Sequence, residues 1–235
     1  MALRAAFFDV DGTLTTERVW RGMLEYFRQR GLRRWTRRFF WAYHMPFYLL
    51  YKARLVSQSV FRRPWAAHLS WFVRGYTLEQ AQDVWDWVAQ EYLTPYWRPD
   101  ALELIKKHKA TGDLVVLVSA GLTPLENAIA REVEADMAVG TQPELKLLRA
   151  TRNGRPQSRY TGKLAGPVCL DEQKAELAKA ELKARNLDVD FAASIAYADS
   201  GTDIFMLEMV GNPIAFHPDE ELLPVAQKRG WKILE

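Results

Sequence analysis

Three short apolar runs in this chain of 235 residues stop abruptly at a polar residue: AAFFD at Asp9, LVVLVS at Ser119 and IAYAD at Asp199. Runs of this length, bounded by helical patterns such as PDALELIKKHKATG and TPLENAIAREVE, read as strands buried on both faces. Strands that alternate with helices are joined by crossovers, so they lie mostly parallel with helices covering both faces of the sheet. Ligands of such open sheets bind beyond the carboxyl ends of the strands, so Asp9, Ser119 and Asp199 should meet at one edge.

The expected fold class is α/β, a doubly wound, mostly parallel sheet with a Rossmann-like core. From about Arg18 to Trp97 the alternation is interrupted: apolar residues recur at helical spacing, and TLEQAQDVWDWVAQEYL reads as a helix opened by Thr77 with Gln80 three residues on. We therefore expect a core of residues 1–16 and 98–235 and an all-helical cap of residues 17–97 inserted after the first strand. A strand near Asp136–Val139, a helix over DEQKAELAKAELKAR and a short PIAF run continue the core. Between them Asn153-Gly154 separates two strand-like runs and predicts a small β-hairpin.

Composition excludes several classes. Hydrophobic residues at 49% and charged residues at 26% belong to a globular protein that buries a core, not to a disordered one. A net charge of +3 gives no argument for a nucleic-acid partner. The single cysteine, Cys169, rules out an internal disulfide framework and a cysteine-rich metal site, which fits a reducing cytoplasm. No signal peptide is expected from MALRAAFF, and the uncharged stretch at 39–51 is shorter than the roughly 20 residues that span a bilayer. Oligomeric state is not legible.

The polar residues carry the chemistry. A turn after the first strand needs only Asp11 and Gly12, so Asp9 is a surplus carboxylate beside apolar sequence. After Ser119, Thr123, Pro124 and Glu126 predict a capping box, which would turn the Ser119-Ala120-Gly121 loop toward a helix N-terminus able to hold an anion. Lys174 falls in the first turn of a helix if Asp171 caps it, where the helix dipole disfavours a cation unless a dianion is near. Asp199 and Asp203 lie four residues apart across a small-residue turn.

Together, DVDGT at 9–13, Ser119 after its strand, Lys174 within DEQKAELAK and ADSGTD at 198–203 resemble the four ordered motifs of the haloacid dehalogenase superfamily. The insert directly after the first motif resembles the branch with a small helical cap that includes phosphoserine phosphatase. The resemblance implies that Asp9 is a nucleophile toward phosphorus and Asp11 a general acid and base. It also implies magnesium held by Asp9, the Asp11 backbone carbonyl and Asp199, with Asp203 holding a metal-bound water. Ser119, Ala120, Gly121 and Lys174 would bind the phosphoryl group.

This chain departs from that branch in its specificity residues. Gly12 stands where serine is usual, and Arg18 occupies the position of the glutamate that recognises the substrate amine, with Glu17 one residue early. The cap is also unusual: between Arg18 and Phe61 Glu25 is the one acidic residue, and RRWTRRFFWAYHMPFYLLYK interleaves arginine with aromatic rings. Either the aromatics pack inward under water-facing arginines, the arrangement we prefer, or the cap makes peripheral contact with an anionic membrane. Nucleic acid fits the charge, but no recognisable module supports it.

The expected function is therefore a magnesium-dependent phosphatase that hydrolyses a small-molecule phosphomonoester through an aspartyl-phosphate. The alternatives are a phosphoserine phosphatase, a phosphotransferase using the same residues, or a non-catalytic protein that binds anionic membrane or nucleic acid. Pure binding would not need Asp9, Asp11, Lys174 and Asp199 together.

Overall fold

The computed structural model describes residues 2–148 and 157–235. Its main sheet is built on β1 (Ala5–Phe8), whose four side chains are all buried. Alternation along the strand divides them: Ala6 and Phe8 enter the apolar cluster on one face, Ala5 and Phe7 the cluster on the other. β2 (Leu114–Leu122) behaves alike, with Val115 and Leu117 on the first face and Val116 and Val118 on the second.

β3 (Met137–Thr141), β6 (Ile195–Ala198), β7 (Asn212–Phe216) and β8 (Lys232–Leu234) complete a parallel sheet of order β3-β2-β1-β6-β7-β8. Helices α5 (Pro99–Ala110) and α6 (Thr123–Glu132) cover one face, and α7 (Glu172–Ala184), α8 (Ile204–Glu208) and α9 (Leu222–Arg229) the other. The strand order reverses between β1 and β6, which pair at Phe8 and Tyr197. Asp9 and Asp199 therefore flank the switch point, where open sheets of this kind bind ligands. The short edge strand β8 had no counterpart in the sequence reading, because three residues are too few to set a period.

After β1 the chain enters α1 (Val19–Gln29), α2 (Arg34–Lys52) and α3 (Gln58–His68), and after a 3₁₀ turn reaches α4 (Leu78–Trp87). Thr77 and Gln80 form both halves of the capping box that opens α4. The helix runs on into a π-helical turn over Val88–Tyr92. The two crossings between insert and core lie side by side: Thr15 bridges to Trp97, and the Arg98 N–H donates to the Leu14 carbonyl at 2.9 Å. A continuous apolar cluster joins Phe8 and Leu117 of the sheet, Ile129 of α6, and Met23, Phe27 and Trp85 of the insert.

β4 (Pro143–Leu148) and β5 (Gln157–Leu164) pair antiparallel as a second, two-stranded sheet. The Asn153-Gly154 turn expected between them lies outside the described residues. Backbone bonds of 2.7 Å from Gly75 to Tyr160 and 3.0 Å from Tyr160 to Tyr76 tie this pair to the insert. Among the described residues, no helix is long and apolar enough to cross a membrane.

Candidate active site

Beyond β1 the backbone turns so tightly that Gly12 adopts φ +106°, and a Cβ there would lie 2.0 Å from Asp199 Oδ2. Only glycine fits this turn, which lays the first motif against the end of β6. Asp9, next to the strand, is buried. The Asp11 carboxylate points to the start of α1 and accepts the Val19 N–H at 2.7 Å. Burial raises the Asp11 pKa against the pull of the Arg18 guanidinium.

Lys174 reaches into this edge from the first turn of α7 and is itself buried. Its ammonium pairs with Asp9 Oδ1 at 2.5 Å and with Asp203. Burial works to discharge the lysine, but the facing Asp203 and Asp9 outweigh it and raise its pKa. Asp171 occupies the N-cap position of α7 without capping it; its carboxylate instead accepts from Ser59 at 2.7 Å and Arg63 at 3.0 Å, tying α3 to the core.

The remaining carboxylates crowd together. One oxygen each from Asp9, Asp199 and Asp203 lies within 4.8 Å of the others, and all three residues are buried. Burial first, and then Asp9, pushes Asp199 well above the usual carboxylate range; Asp203 is raised by burial too, against the pull of Lys174. An all-oxygen cluster with too little positive charge fits a hard divalent cation. The Asp11 carbonyl, expected as a further ligand, accepts the Arg18 Nη1–H at 2.5 Å.

Ser119 lies near the end of β2, where the pairing with β3 shifts register between Val118 and Leu122. Its hydroxyl bonds Glu126 Oε1 at 2.9 Å and accepts the Gly121 N–H at 3.1 Å, while the Ala120 carbonyl accepts from Thr141 at 2.8 Å. The capping box expected of Thr123 and Glu126 does not form. The helix begins at Thr123 with Leu122 as N-cap, and Glu126 turns inward, fully buried. Burial, reinforced by Asp11, pushes its pKa up to about 8. A glutamate three residues after a threonine looks the same in sequence whether it caps the helix or turns into the site.

The insert supplies the other wall. Arg62 of α3, which no sequence signal separated from its basic neighbours, points Nη1 at the hydroxyls of Ser200 (3.4 Å) and Thr202 (3.3 Å). Arg18 lines the same cavity, whereas Glu17 does not: its carboxylate accepts the Arg18 N–H at 2.7 Å and the Arg21 guanidinium at 3.1 Å. The cavity encloses ≈ 580 Å³, with Asp9, Ser119 and Lys174 at one end and Trp20, Phe61 and Trp65 on the insert side.

A family model described as haloacid dehalogenase-like hydrolase matches residues 6–208. The chain belongs to this family. A phosphoserine phosphatase of Mycobacterium tuberculosis is 28% identical over 97% of this chain and 70% of its own. The histidinol-phosphatase of Neisseria meningitidis is 26% identical over 97% of both. A solved protein of unknown function from Bordetella pertussis superposes with a TM-score of 0.79 at 25% identity, covering 100% of this chain and 99% of that one. Phosphatases of the haloacid dehalogenase type generally use magnesium, and the buried Asp9–Asp199–Asp203 cluster suits such an ion.

Proposed function

We propose that this hydrolase is a phosphomonoester phosphatase acting through an aspartyl-phosphate on Asp9, with residues 17–97 as the cap that chooses the ester. The observation that carries the reading is the buried Lys174 ammonium held between Asp9 and Asp203, beside Asp199. A cation fixed there offsets the repulsion between Asp9 and an incoming phosphate dianion.

With Oδ1 held by Lys174, Oδ2 of Asp9 attacks phosphorus; the new O–P bond forms as the bond to the ester oxygen breaks. Asp11, which burial makes easier to protonate, gives its proton to the departing alkoxide. It then takes a proton from the water that attacks the aspartyl-phosphate, releasing phosphate and restoring both carboxyl groups. Ser119, the Ala120-Gly121 backbone and Lys174 bind the phosphoryl oxygens. Asp9, Asp199 and the Asp11 carbonyl, once Arg18 releases it, would hold magnesium, with Asp203 on one of its waters; the ion would neutralise phosphoryl charge.

Asp9→Asn keeps the size of the side chain but removes the nucleophile. It should fold normally by circular dichroism and hydrolyse p-nitrophenyl phosphate only at background rate, and chelation of the wild type should do the same until magnesium is restored. Near wild-type rates in either case would sink the assignment.

The preferred ester on this reading has an extended, apolar body. Aromatic rings line the cavity, and so does Arg18, a cation that would repel a substrate ammonium, while Glu17 is engaged elsewhere. We expect kcat/KM for a lysophosphatidate to exceed that for phosphoserine by about tenfold or more, equivalent to roughly 1.4 kcal/mol. Phosphoserine emerging as the better substrate by the same margin would return the protein to the serine-phosphate role named for its relative.

A further inference from the structure

Helix α2 turns one apolar face to water. Of residues 34–52 only Phe40 and His44 are buried, while Trp35, Phe39 and Leu49 are 76%, 61% and 60% exposed. Trp35, Phe39, Ala42, Pro46 and Leu49 follow one another by three or four residues and so share one face. Leu55, just past the helix, and Val60 at the start of α3 extend the exposed apolar surface.

The charge around this face has one sign. Between Glu25 and Glu79 the sequence holds eleven arginines and lysines and no acidic residue. Arg34, Arg38 and Lys52, all exposed, fall along one edge of the apolar face by helical spacing, and Arg54 follows the helix. An outward helix face of this kind, convex and rimmed by arginine, matches a bilayer interface: the rings and leucines enter the acyl boundary and the guanidinium groups meet lipid phosphates. Trp41, Met45, Tyr48 and Lys52, on the adjoining flank, also line the catalytic cavity, so a docked helix would set the cavity beside the lipid.

We propose that α2 is a docking face for anionic membrane surfaces, lying in the plane of the interface. The intact protein should cosediment with vesicles of phosphatidylcholine and phosphatidylglycerol, far less with phosphatidylcholine alone, and binding should weaken as salt rises. The double substitutions Phe39→Ser with Leu49→Ser, and Arg34→Gln with Arg38→Gln, should each lower vesicle affinity by about tenfold or more. None of these four residues lines the cavity, so hydrolysis of p-nitrophenyl phosphate should be unchanged, which also reports that the variants fold.

Absence of binding to anionic vesicles at low salt, or equal binding by the variants, would overturn the proposal. So would a concentration-dependent dimer broken by Phe39→Ser with Leu49→Ser in a protein that ignores vesicles, since the face would then meet a second copy. Duplex DNA that binds more tightly than the vesicles and is lost on Arg34→Gln with Arg38→Gln would assign the face to nucleic acid. Because vesicle binding requires no turnover, its failure would leave the phosphatase reading intact, and loss of that reading would leave vesicle binding unexplained but measurable.

Discussion

Glu126 governs what Ser119 can offer a ligand. Ionised, the carboxylate accepts the Ser119 hydroxyl hydrogen and holds it away from the cavity; neutral, it can donate to the serine oxygen and free that hydrogen. With the pKa pushed up by burial to about 8, the neutral form prevails below that pH and is lost above it. We expect kcat/KM to fall as pH rises through about 8, while Glu126→Gln, whose amide still donates, keeps its rate there. Glu126→Ala should be slower below about pH 8, by roughly five- to 150-fold for an interaction of about 1–3 kcal/mol, and should lack the alkaline fall. Superimposable alkaline limbs for wild type and Glu126→Gln would remove the role. Asp9, Lys174 and Asp199, which the fold brings together, stand out locally in the sequence, as a charge at a strand end or a cation at the wrong end of a helix dipole, whereas Asp11 with Gly12 reads there as an ordinary turn. Glu126 and Arg62 do not stand out, because their meaning lies in partners far along the chain or in a direction of turning that local spacing does not fix.

Helices reveal the same limit. Thr77 with Gln80 opened α4 as the sequence indicated, since both partners lie within one turn and nothing else competes for them. The same spacing at Thr123 and Glu126 failed because Ser119 and a buried site drew the glutamate in. For α2 the helical period was legible but not which face is covered, as apolar residues occur all round it. On its covered side His44 Nε2 lies 3.1 Å from Nδ1 of His68, the last residue of α3, and His68 stacks on Trp71 with ring centroids 3.8 Å apart. Burial, with a smaller effect of His68, pushes His44 down to about 4 from the ordinary 6.5. The unfolded chain therefore takes up this proton first as pH falls, so the stability is fully present above about 6.5 and is lost towards 4. Urea denaturation should register a loss of about 2 kcal/mol between about pH 7.5 and pH 5, reduced in His44→Gln. Equal losses in both proteins would show that the pair does not set the slope.

Over the whole molecule, the parallel sheet was legible from alternation alone, because strand–helix order leaves few topologies open. The continuity of the insert with the core was not, since the cluster that joins Trp85 to Ile129 and Phe8 draws on residues scattered along most of the chain. The position of β1 has a further consequence, for kinetics. Of the six strands it comes first along the chain, yet it sits in the middle, and its flanking partners begin to engage it 109 and 189 residues later, where Arg4 meets Asp113 and Ala5 meets Ser194. No tight hairpin joins any two strands of that sheet, so each pairing must close a long loop before it gains anything, and the AAFF segment waits with its edges bare. Recovery from denaturant should therefore be slow, with a yield that declines as protein concentration rises and improves when a chaperone shields the waiting strand. Millisecond refolding at a concentration-independent yield would mean that something other than strand order sets the pace, but a sheet assembled from its centre outward leaves the ribosome with its middle exposed.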